Sequence, residues 1–592
     1  MSTPPDFTPF DDSRRLTGFN LYFRDVGAVL ETCGMPPDEA ALQAWDAAVQ
    51  RACDALGWPA AARVARPHAS GASLAFAAPL DQLFCATEVN EWAWCCACEA
   101  QRGPIAARWH APGHPALWDE AAAMETLHAL AAAERQPALV RLVRAAERRG
   151  LPVLIDDEQL SIGAGDGAAC WLLTQLPLAE TLDWTSLHAV PVALVTGSNG
   201  KTTTVRLLAA MAQAHGWRTG HSCTDGVFVD GRAIEAGDYS GPAGARVVLR
   251  AAGVQAAILE TARGGLLRRG LAVQQAQVAV VTNVSDDHFG EYGIHDLAGL
   301  AAVKLTVAKA IDDAGLLVLN ADDEMLAAQS AQLTCPIGWF AQDDAHPRLQ
   351  AAREHGDATC AVRDGRLCLS WRGRQHDLGA VTAMPLSFAG RARYNIANLA
   401  AAALAAVALG IGAETIAASL LQFGSSRADN PGRLQHWQFG SLRVFVDYAH
   451  NPEGLHGLLD VATAQGGGRL GLLLGQAGNR EESAIRELAM VAARFRPARV
   501  LLKDIEGYLR GRPAGEVAGI LRRQLQDDGV PADAIGVCLD EVAAVRDLLA
   551  WAQAGDVLVL PTHGVAARHA ARALLDTLQA QGWQPGMPLP PG

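Results

Sequence analysis

The chain has 592 residues, half of them apolar, with 49 basic and 63 acidic side chains and a formal net charge of −14. That length exceeds what one hydrophobic core can use, so about three or four domains of ~100–200 residues are expected. The acidic balance argues against non-specific nucleic-acid binding and leaves room for a locally basic pocket.

The opening residues, MSTPPDFTPFDDSRR, contain no apolar signal core, so a cytoplasmic protein is expected. Residues up to about 185 read as mixed α and β. EAALQAWDAAVQRACDALGW carries apolar residues at helical spacing. ALVRLVRAAERRG is a second amphipathic helix that Gly150 closes, and LPVLIDD follows as a strand. The cluster Cys95, Cys96 and Cys98 lacks a second Cys/His pair at zinc-site spacing, so buried thiols in a reducing compartment are expected.

From Val190 onward, strands and helices alternate. PVALVTG, AAILET, VAVVTNV and LLVLNAD are short apolar runs ending in polar residues, and KTTTVRLLAAMAQAHGW is a helix between the first two. Such alternation predicts a parallel sheet covered by helices, with ligands at the carboxyl ends of its strands. Residues from about 335 to 385 break the rhythm as short antiparallel strands with a turn at Asp364–Gly365, an excursion from the central domain. The alanine-rich run Leu399 to Ala413 is too short and too weakly apolar for a membrane span and reads as a buried helix. NPGRLQ then reads as a hinge. The alternation resumes in LRVFVDYAHN, RLGLLLGQAG, ARVLLKD and GDVLVLPTHG, ahead of a loose proline-rich tail.

The predicted fold is therefore α/β and multidomain. A mixed α+β domain is expected at residues 1–189 and a central P-loop parallel-sheet ATPase domain at 190–429. A Rossmann-like α/β domain is expected at 430–592.

The stretch VALVTGSNGKTTT places a glycine turn between a strand and a helix. Backbone N–H groups and the helix dipole at such a turn favour phosphate. Gly197 and Gly200 allow close approach, Lys201 reaches outer phosphates, and the Thr202 hydroxyl suits Mg²⁺. The usual spacing puts its first glycine at position 195, which is valine, so this is a shortened variant; an ordinary glycine turn is the alternative. Three later segments add candidates: Glu260 in ILETARGG, Asn283, Asp286, Asp287 and His288 in VVTNVSDDHFGEYG, and Lys304 on a helix. Alone, these read as a cap or ion pair, a polar loop and a solvated lysine. Together they offer ligands to one magnesium-bound phosphate site.

The ordered set GSNGKTT, the strand-end glutamate, TNVSDDH, the helix lysine, RYNIANLAAA, NPGR and DYAHNPEGL resembles the Mur ligase family of ATP-dependent amide ligases. The resemblance runs from about Pro191 onward. CTDGVFVDGRAIEAGDYSGPAGAR, ETARGGLLRRGL and KDIEGYLRGRPAGE are more similar to the Mur-like half of cyanophycin synthetases, and the amino-terminal region looks like the surroundings of that half. Those synthetases carry an ATP-grasp module ahead of the Mur-like part, for which residues 1–189 leave no space.

The resemblance implies roles position by position. Gly197, Asn199, Gly200, Lys201 and Thr203 would cradle ATP phosphates, with Asn283 beside them, and Thr202 and Glu260 would hold one Mg²⁺. His288 would serve a second metal, and Lys304 matches a lysine that many Mur ligases carbamylate. Asn395 and Asn398 fall where the family meets adenine, and Arg433 and Asp447 would close over the nucleotide. Tyr394 stands where several relatives carry histidine, and Ser198 where threonine is common. Lys201, Glu260, His288 and Lys304 are the expected catalytic set. Asp286 and His288 are candidates for deprotonating the amine. Asp225, Asp238, Arg246, Arg263 and Arg268 lie in the segments shared with cyanophycin synthetases and are the expected substrate contacts, with a surface salt bridge as the alternative for each arginine.

The implied reaction is ATP-dependent joining of an amino acid, arginine among the candidates, to an aspartyl or other acidic peptide through an acyl phosphate. The expected partners are those two substrates and a cyanophycin-type synthetase or its product, with no nucleic acid and no membrane; self-association stays open. Three rival readings are a ligase making another dipeptide, a non-catalytic ATP-binding partner of a full synthetase, and a nucleotide kinase. The NPGR and DYAHNP segments argue against the kinase.

Overall fold

The computed structural model describes residues 10–102, 120–286, 289–464 and 466–590. The amino-terminal segment builds an antiparallel sheet in the order Phe10–Leu16, Gly27–Thr32, Gly71–Ala77, Arg63–His68. Helices Glu39–Leu56 and Leu83–Arg102 pack on it, joined at their buried interface by the Trp45 indole donating to Asn90 at 2.8 Å. Asp38 caps the first helix by accepting from the Ala41 amide, and Gly57 ends it at φ 66°. The second is capped from afar: Glu134 accepts from the Phe84 and Cys85 amides at 2.8 Å each. Helix Pro137–Glu147 and a small antiparallel sheet follow, with the expected strand at Val153–Ile155.

The central sheet has eleven strands. Its parallel middle runs Thr219–Cys223, Ala256–Glu260, Val192–Thr196, Val278–Val281, Leu316–Asn320, Ile337–Ala341, Thr359–Arg363. Alternate strand residues feed two cores. Ala193, Val195, Val278 and Val280 face helices Lys201–Ala214 and Arg393–Ala408. Leu194, Ala257, Ala279 and Val281 face helices Pro242–Arg250 and Leu297–Lys304. The alanine-rich run lies in Arg393–Ala408 up to residue 408 and is largely buried there, its small side chains allowing close approach to the neighbouring helix and sheet, whereas its last residues, with Gly410 exposed, leave that helix. The antiparallel strands after residue 358 are not an excursion. Arg366–Trp371 and Arg374–Ala380 extend this same sheet, because Thr359–Arg363 pairs in parallel with Ile337–Ala341 before the chain reverses. The reversal uses Asp364 and Gly365 at φ 50° and 73°.

The last segment forms a six-stranded sheet, Gln435–Phe439, Leu442–Asp447, Val557–Pro561, Leu470–Leu474, Arg499–Leu502, Ile535–Val537, parallel after the first pair. Among the described residues no helix is long and apolar enough to cross a membrane.

The amino-terminal sheet docks on the segment carrying Arg263 and Arg268. Arg14 Nε donates to the Leu267 carbonyl at 2.9 Å, the Leu271 amide to the Phe19 carbonyl at 2.7 Å, and Arg66 to the Gly293 carbonyl at 3.1 Å. A Cβ at Gly18 would lie 1.9 Å from the Leu271 carbonyl oxygen, so only glycine permits this approach.

On the strand Thr219–Cys223, His221 is buried, stacks on Phe228 at 4.8 Å and leaves Nδ1 without a hydrogen-bond partner. Burial and, secondarily, Arg206 push its pKa from 6.5 down to about 3. The unfolded chain therefore binds this proton across a range in which the folded chain does not, and acidification from pH 6.5 towards about 3 removes stability. His221→Phe keeps the stack and removes the ionisable ring. We expect it to lose about one proton from the slope of stability against pH in that window. Urea titrations at several pH values measure this, and an unchanged slope would refute it.

Candidate active site

The strand Val192–Thr196 ends at a loop whose geometry requires its glycines. Gly197 has φ 146° and Gly200 φ 84°. A Cβ at 197 would meet Thr282 Oγ1 at 1.8 Å, and one at 200 would meet Asn398 Oδ1 at 2.2 Å. The loop is tied to the neighbouring strand end. The Asn199 amide donates to Asn283 Oδ1 at 2.8 Å, the Ser198 amide to the Asn283 carbonyl at 3.0 Å, and Thr282 Oγ1 to the Asn199 carbonyl at 2.6 Å. Ser198 Oγ donates to the Ser285 carbonyl and accepts from the Ser285 amide, both at 3.0 Å. Lys201 begins the helix and folds over the loop, donating to the Gly197 and Ser198 carbonyls at 3.0 Å each.

Thr202 Oγ1 donates to Glu260 Oε2 at 2.8 Å and lies 2.9 Å from Thr224 Oγ1. Glu260 is 1% exposed, and its Oε1 is buried with no hydrogen-bond partner. Burial raises the Glu260 pKa; Lys201, the Thr202 hydrogen bond and Arg433 act against that rise. A buried carboxylate oxygen without a donor, beside a threonine hydroxyl at the start of a phosphate-loop helix, fits a hard divalent cation that takes its remaining ligands from phosphate and water. Among the described residues no three His, Cys, Asp or Glu side chains cluster as a metal cage.

These groups share one cleft of about 1500 Å³ between the central sheet, the segment Asp238–Arg269 and the last sheet. Lys304, the final residue of its helix, is buried and lines it. Asn395 and Asn398 line another part, where Asn395 donates to the Leu386 carbonyl at 3.0 Å and Asn398 to Asn395 Oδ1 at 3.2 Å. Asp238, Arg246, Arg263 and Arg268 line the far wall. Each has a structural contact: Asp238 accepts from Ser240, Arg246 lies 3.7 Å from Asp156, Arg263 pairs with Glu291, and Arg268 donates to the Tyr292 hydroxyl at 2.9 Å.

Two expected positions fall elsewhere. Asp225 does not line the cleft; its carboxylate lies between Arg206 and Arg568, 2.8 Å from each. That contact departs from the substrate role expected of it, because the turn carrying Asp225 faces the last sheet's helix Val565–Ala580 instead of the opening. Asp286 is exposed and outside the cleft lining. Asp287 and His288 lie outside the described residues.

The last sheet contributes the opposite wall. Asp447 accepts from the Leu434 amide at 2.5 Å and the Ala449 amide at 2.7 Å, which shapes the turn after its strand. Arg433 reaches Thr202 Oγ1 and Thr224 Oγ1 at 3.4 Å each. Asn199 is bridged from this side, donating to Glu453 at 2.8 Å and accepting from Asn451 at 3.0 Å. Asn451 also caps helix Pro452–Thr463, whose first residue is proline. Asn451 and Glu453 were not singled out from the sequence. The Asn-Pro-Glu start inside DYAHNPEGL was the available signal for a capped helix, though nothing in it says the cap faces the phosphate loop.

A second group unanticipated from sequence backs this wall. Lys503, fully buried, pairs with Glu541 and donates to His563 Nδ1 at 2.9 Å, while His563 Nε2 lies 2.9 Å from the Ala449 carbonyl. A carbonyl only accepts, so Nε2 carries the proton and Nδ1 receives from Lys503; the ring is neutral. Burial lowers the pKa of His563 and of Lys503, and Glu541 opposes the latter. The network pins the 447–450 turn to the end of the strand Val557–Pro561.

A model of the Mur ligase middle domain matches residues 195–406, and one of the Mur ligase glutamate ligase domain matches residues 432–562. Cyanophycin synthetase of Synechocystis sp. is 35% identical over 376 residues, spanning 63% of this chain and 42% of that protein. The chain thus matches about two-fifths of the length of the cyanophycin synthetases. UDP-N-acetylmuramoyl-L-alanyl-D-glutamate–2,6-diaminopimelate ligase of Xanthomonas campestris is 30% identical, covering 65% of this chain and 75% of that enzyme. Among solved structures, MurF of Acinetobacter baumannii aligns with TM-score 0.46 and 18% identity over 65% of this chain and 77% of its own. E. coli FolC in complex with ADP aligns with TM-score 0.47 and 18% identity over 66% of this chain and 90% of its own.

Glu541→Ala strands the buried Lys503 ammonium and is expected to cost about 3–5 kcal/mol. Pairing Glu541→Leu with Lys503→Met removes both charges and is expected to recover most of that loss. Denaturant unfolding compares them; a Glu541→Ala midpoint equal to wild type would show that the pair contributes nothing.

Proposed function

This chain belongs to the Mur ligase family of ATP-dependent carboxylate–amine ligases, and we propose that it joins an amino acid to an acidic peptide acceptor through an acyl phosphate. The observation that carries this reading is the convergence of Lys201, Thr202, Glu260, Lys304 and Arg433 on one cleft, with Glu260 Oε1 buried and unengaged inside it. We take residues 1–189, 190–429 and 430–592 as the three domains, the cleft being lined from the second and third.

In this reading Gly197, Asn199, Gly200 and Thr203 cradle the nucleotide phosphates, Asn283 braces the loop, Asn395 and Asn398 face the base, and Arg433 and Asp447 close the site from the last domain. Thr202 and Glu260 would hold Mg²⁺, which would neutralise phosphate charge; Lys304, if carbamylated to carry a carboxylate-like end, would serve a second ion with His288. Lys201 draws negative charge from the γ-phosphate as an acceptor carboxylate oxygen attacks its phosphorus and ADP departs. The amine nitrogen then attacks the acyl carbon, phosphate leaves with the electron pair of the acyl carbon–oxygen bond it shared, and the departing phosphate or solvent takes the amine proton. Arg246, Arg263 and Arg268 suit an acidic acceptor, because guanidinium groups pair with carboxylates bidentately. Asp238 and Glu291, in the same part of the cleft, suit a cationic amine donor such as arginine. A shut cleft keeps water from hydrolysing the acyl phosphate.

The test offers purified protein ATP, Mg²⁺, aspartyl peptides and a panel of amino acids, and follows phosphate release with mass spectrometry of the products. Amine-dependent phosphate release with a new amide is expected, with arginine among the accepted donors. ATP binding without turnover on any combination would favour a non-catalytic nucleotide-binding partner of a larger synthetase. Lys201→Ala is expected to lower kcat by about 10²–10³-fold; full activity in that variant would exclude this loop as the phosphate site.

A further inference from the structure

One carboxylate outside the cleft gathers charge from three separate parts of the chain. Asp225 sits in the turn between the strands Thr219–Cys223 and Gly226–Val229. Its Oδ2 lies 2.8 Å from Arg206, on the helix that begins at Lys201. Its Oδ1 lies 2.8 Å from Arg568, on the last sheet's helix Val565–Ala580. Both arginines are nearly excluded from solvent, at 6% and 4% exposure. Arg206 also donates to the Pro431 carbonyl at 3.0 Å, and Asn430 donates to Thr203 Oγ1 at 3.2 Å, so the 430–433 hinge is stitched to the first turns of the same helix.

The third arginine is Arg433. Its guanidinium lies 4.5 Å from the centre of the Tyr448 ring, and that of Arg568 lies 5.0 Å from the same centre. Tyr448 thus links the arginine bound to Asp225 with the arginine that reaches Thr202. The packing is tight: a Cβ on Gly432, at φ 71°, would meet Arg568 Cδ at 2.7 Å. Asp225 is desolvated, yet the net effect of Arg433, Arg568 and Arg206 holds its carboxyl below the usual aspartate range. Arg433 also faces the buried carboxylates Glu260 and Asp447, so the three arginines share their charge among Asp225 and these two groups beside the glycine loop.

We propose that Asp225 is a positioning residue that locks the last domain against the helix of the phosphate loop and, through Arg568 and Tyr448, aims Arg433 at the Thr202 hydroxyl. It contacts none of the groups that line the cleft for substrate; its effect passes through the arginines. The activity half of the test rests on the ligase reading, whereas the lock itself does not.

Three variants address it. Asp225→Asn keeps the shape and removes the charge. Arg568→Met leaves the Asp225–Arg206 pair intact, so the central sheet keeps its own contacts, and Arg568→Lys restores charge without the fork. Hydrogen exchange on the full chain reads the lock. Segments 428–436 and 447–451 are expected to exchange about tenfold faster in Asp225→Asn and in Arg568→Met, while the strand Val278–Val281 is unaltered. Turnover reads the aim: kcat is expected to fall about 30-fold in both, with partial recovery in Arg568→Lys and a KM for the acidic acceptor within a factor of about three of wild type. Unchanged exchange in Asp225→Asn and Arg568→Met overturns the lock. Faster exchange with wild-type kcat overturns the aiming role. If the wild-type protein turns over no substrate pair, the ligase reading fails, and the exchange comparison still decides the lock.

Discussion

Burying the Glu260 carboxylate at a strand end is the constraint around which the rest of the site is arranged. An anion removed from water is costly unless hydrogen bonds and opposite charge surround it, and here burial raises its pKa. The compensation arrives from two places in the chain. Thr202 supplies a hydrogen bond from the helix start, Lys201 lies on the same turn, and Arg433 comes from the far side of the cleft. One carboxylate oxygen stays without a donor. The site is therefore polarised for a cation and phosphate, and it is incomplete without the last sheet.

The parallel order of the central strands makes this convergence possible. Val192–Thr196 lies between Ala256–Glu260 and Val278–Val281, so the phosphate loop, Glu260 and Asn283 emerge side by side from the same edge. Three adjacent strand ends then define one surface, as expected of an open α/β sheet, which binds ligands at the carboxyl ends of its strands. The loop is held by hydrogen bonds from the strand end at 282–285, which limits how far it moves when a ligand arrives.

The wall facing that edge is held by polar contacts beside an apolar one, in which Phe388, Ala392 and Tyr394 pack against the core of the last sheet. Asn199 meets Glu453 and Asn451, Asp225 meets Arg568, and Lys503, Glu541 and His563 brace the turn behind them. Ion pairs and hydrogen bonds of this kind depend on distance and direction, so they define one arrangement of the two sheets more sharply than a greasy contact would. The same chemistry exchanges readily for water or ligand.

Much of this was legible in the residue order because it is local. Alternating apolar runs and helices predict the parallel sheet, the spacing of Gly197, Gly200 and Lys201 predicts a loop that bends at its glycines, and Asp364–Gly365 predicts a reversal that the backbone makes at positive φ. Other elements were hidden because their pattern is atypical. Phe10–Leu16 reads FDDSRRL and Arg63–His68 reads RVARPH, charged strands at the two edges of the amino-terminal sheet that show little apolar alternation, so their pairing is visible only once the buried strands between them are in place. Asp225 shows the limit most clearly. A carboxylate in a segment shared with ligases reads as a substrate contact, whereas its actual partner Arg568 lies in the last helix of the chain. The residue order by itself determined the periodicities, the turn chemistry and the identity of the charged groups, since these follow from neighbours within a few positions. Which charge faces the cleft and which is spent between domains was decided only by tertiary structure, because that choice depends on distances between segments far apart along the chain.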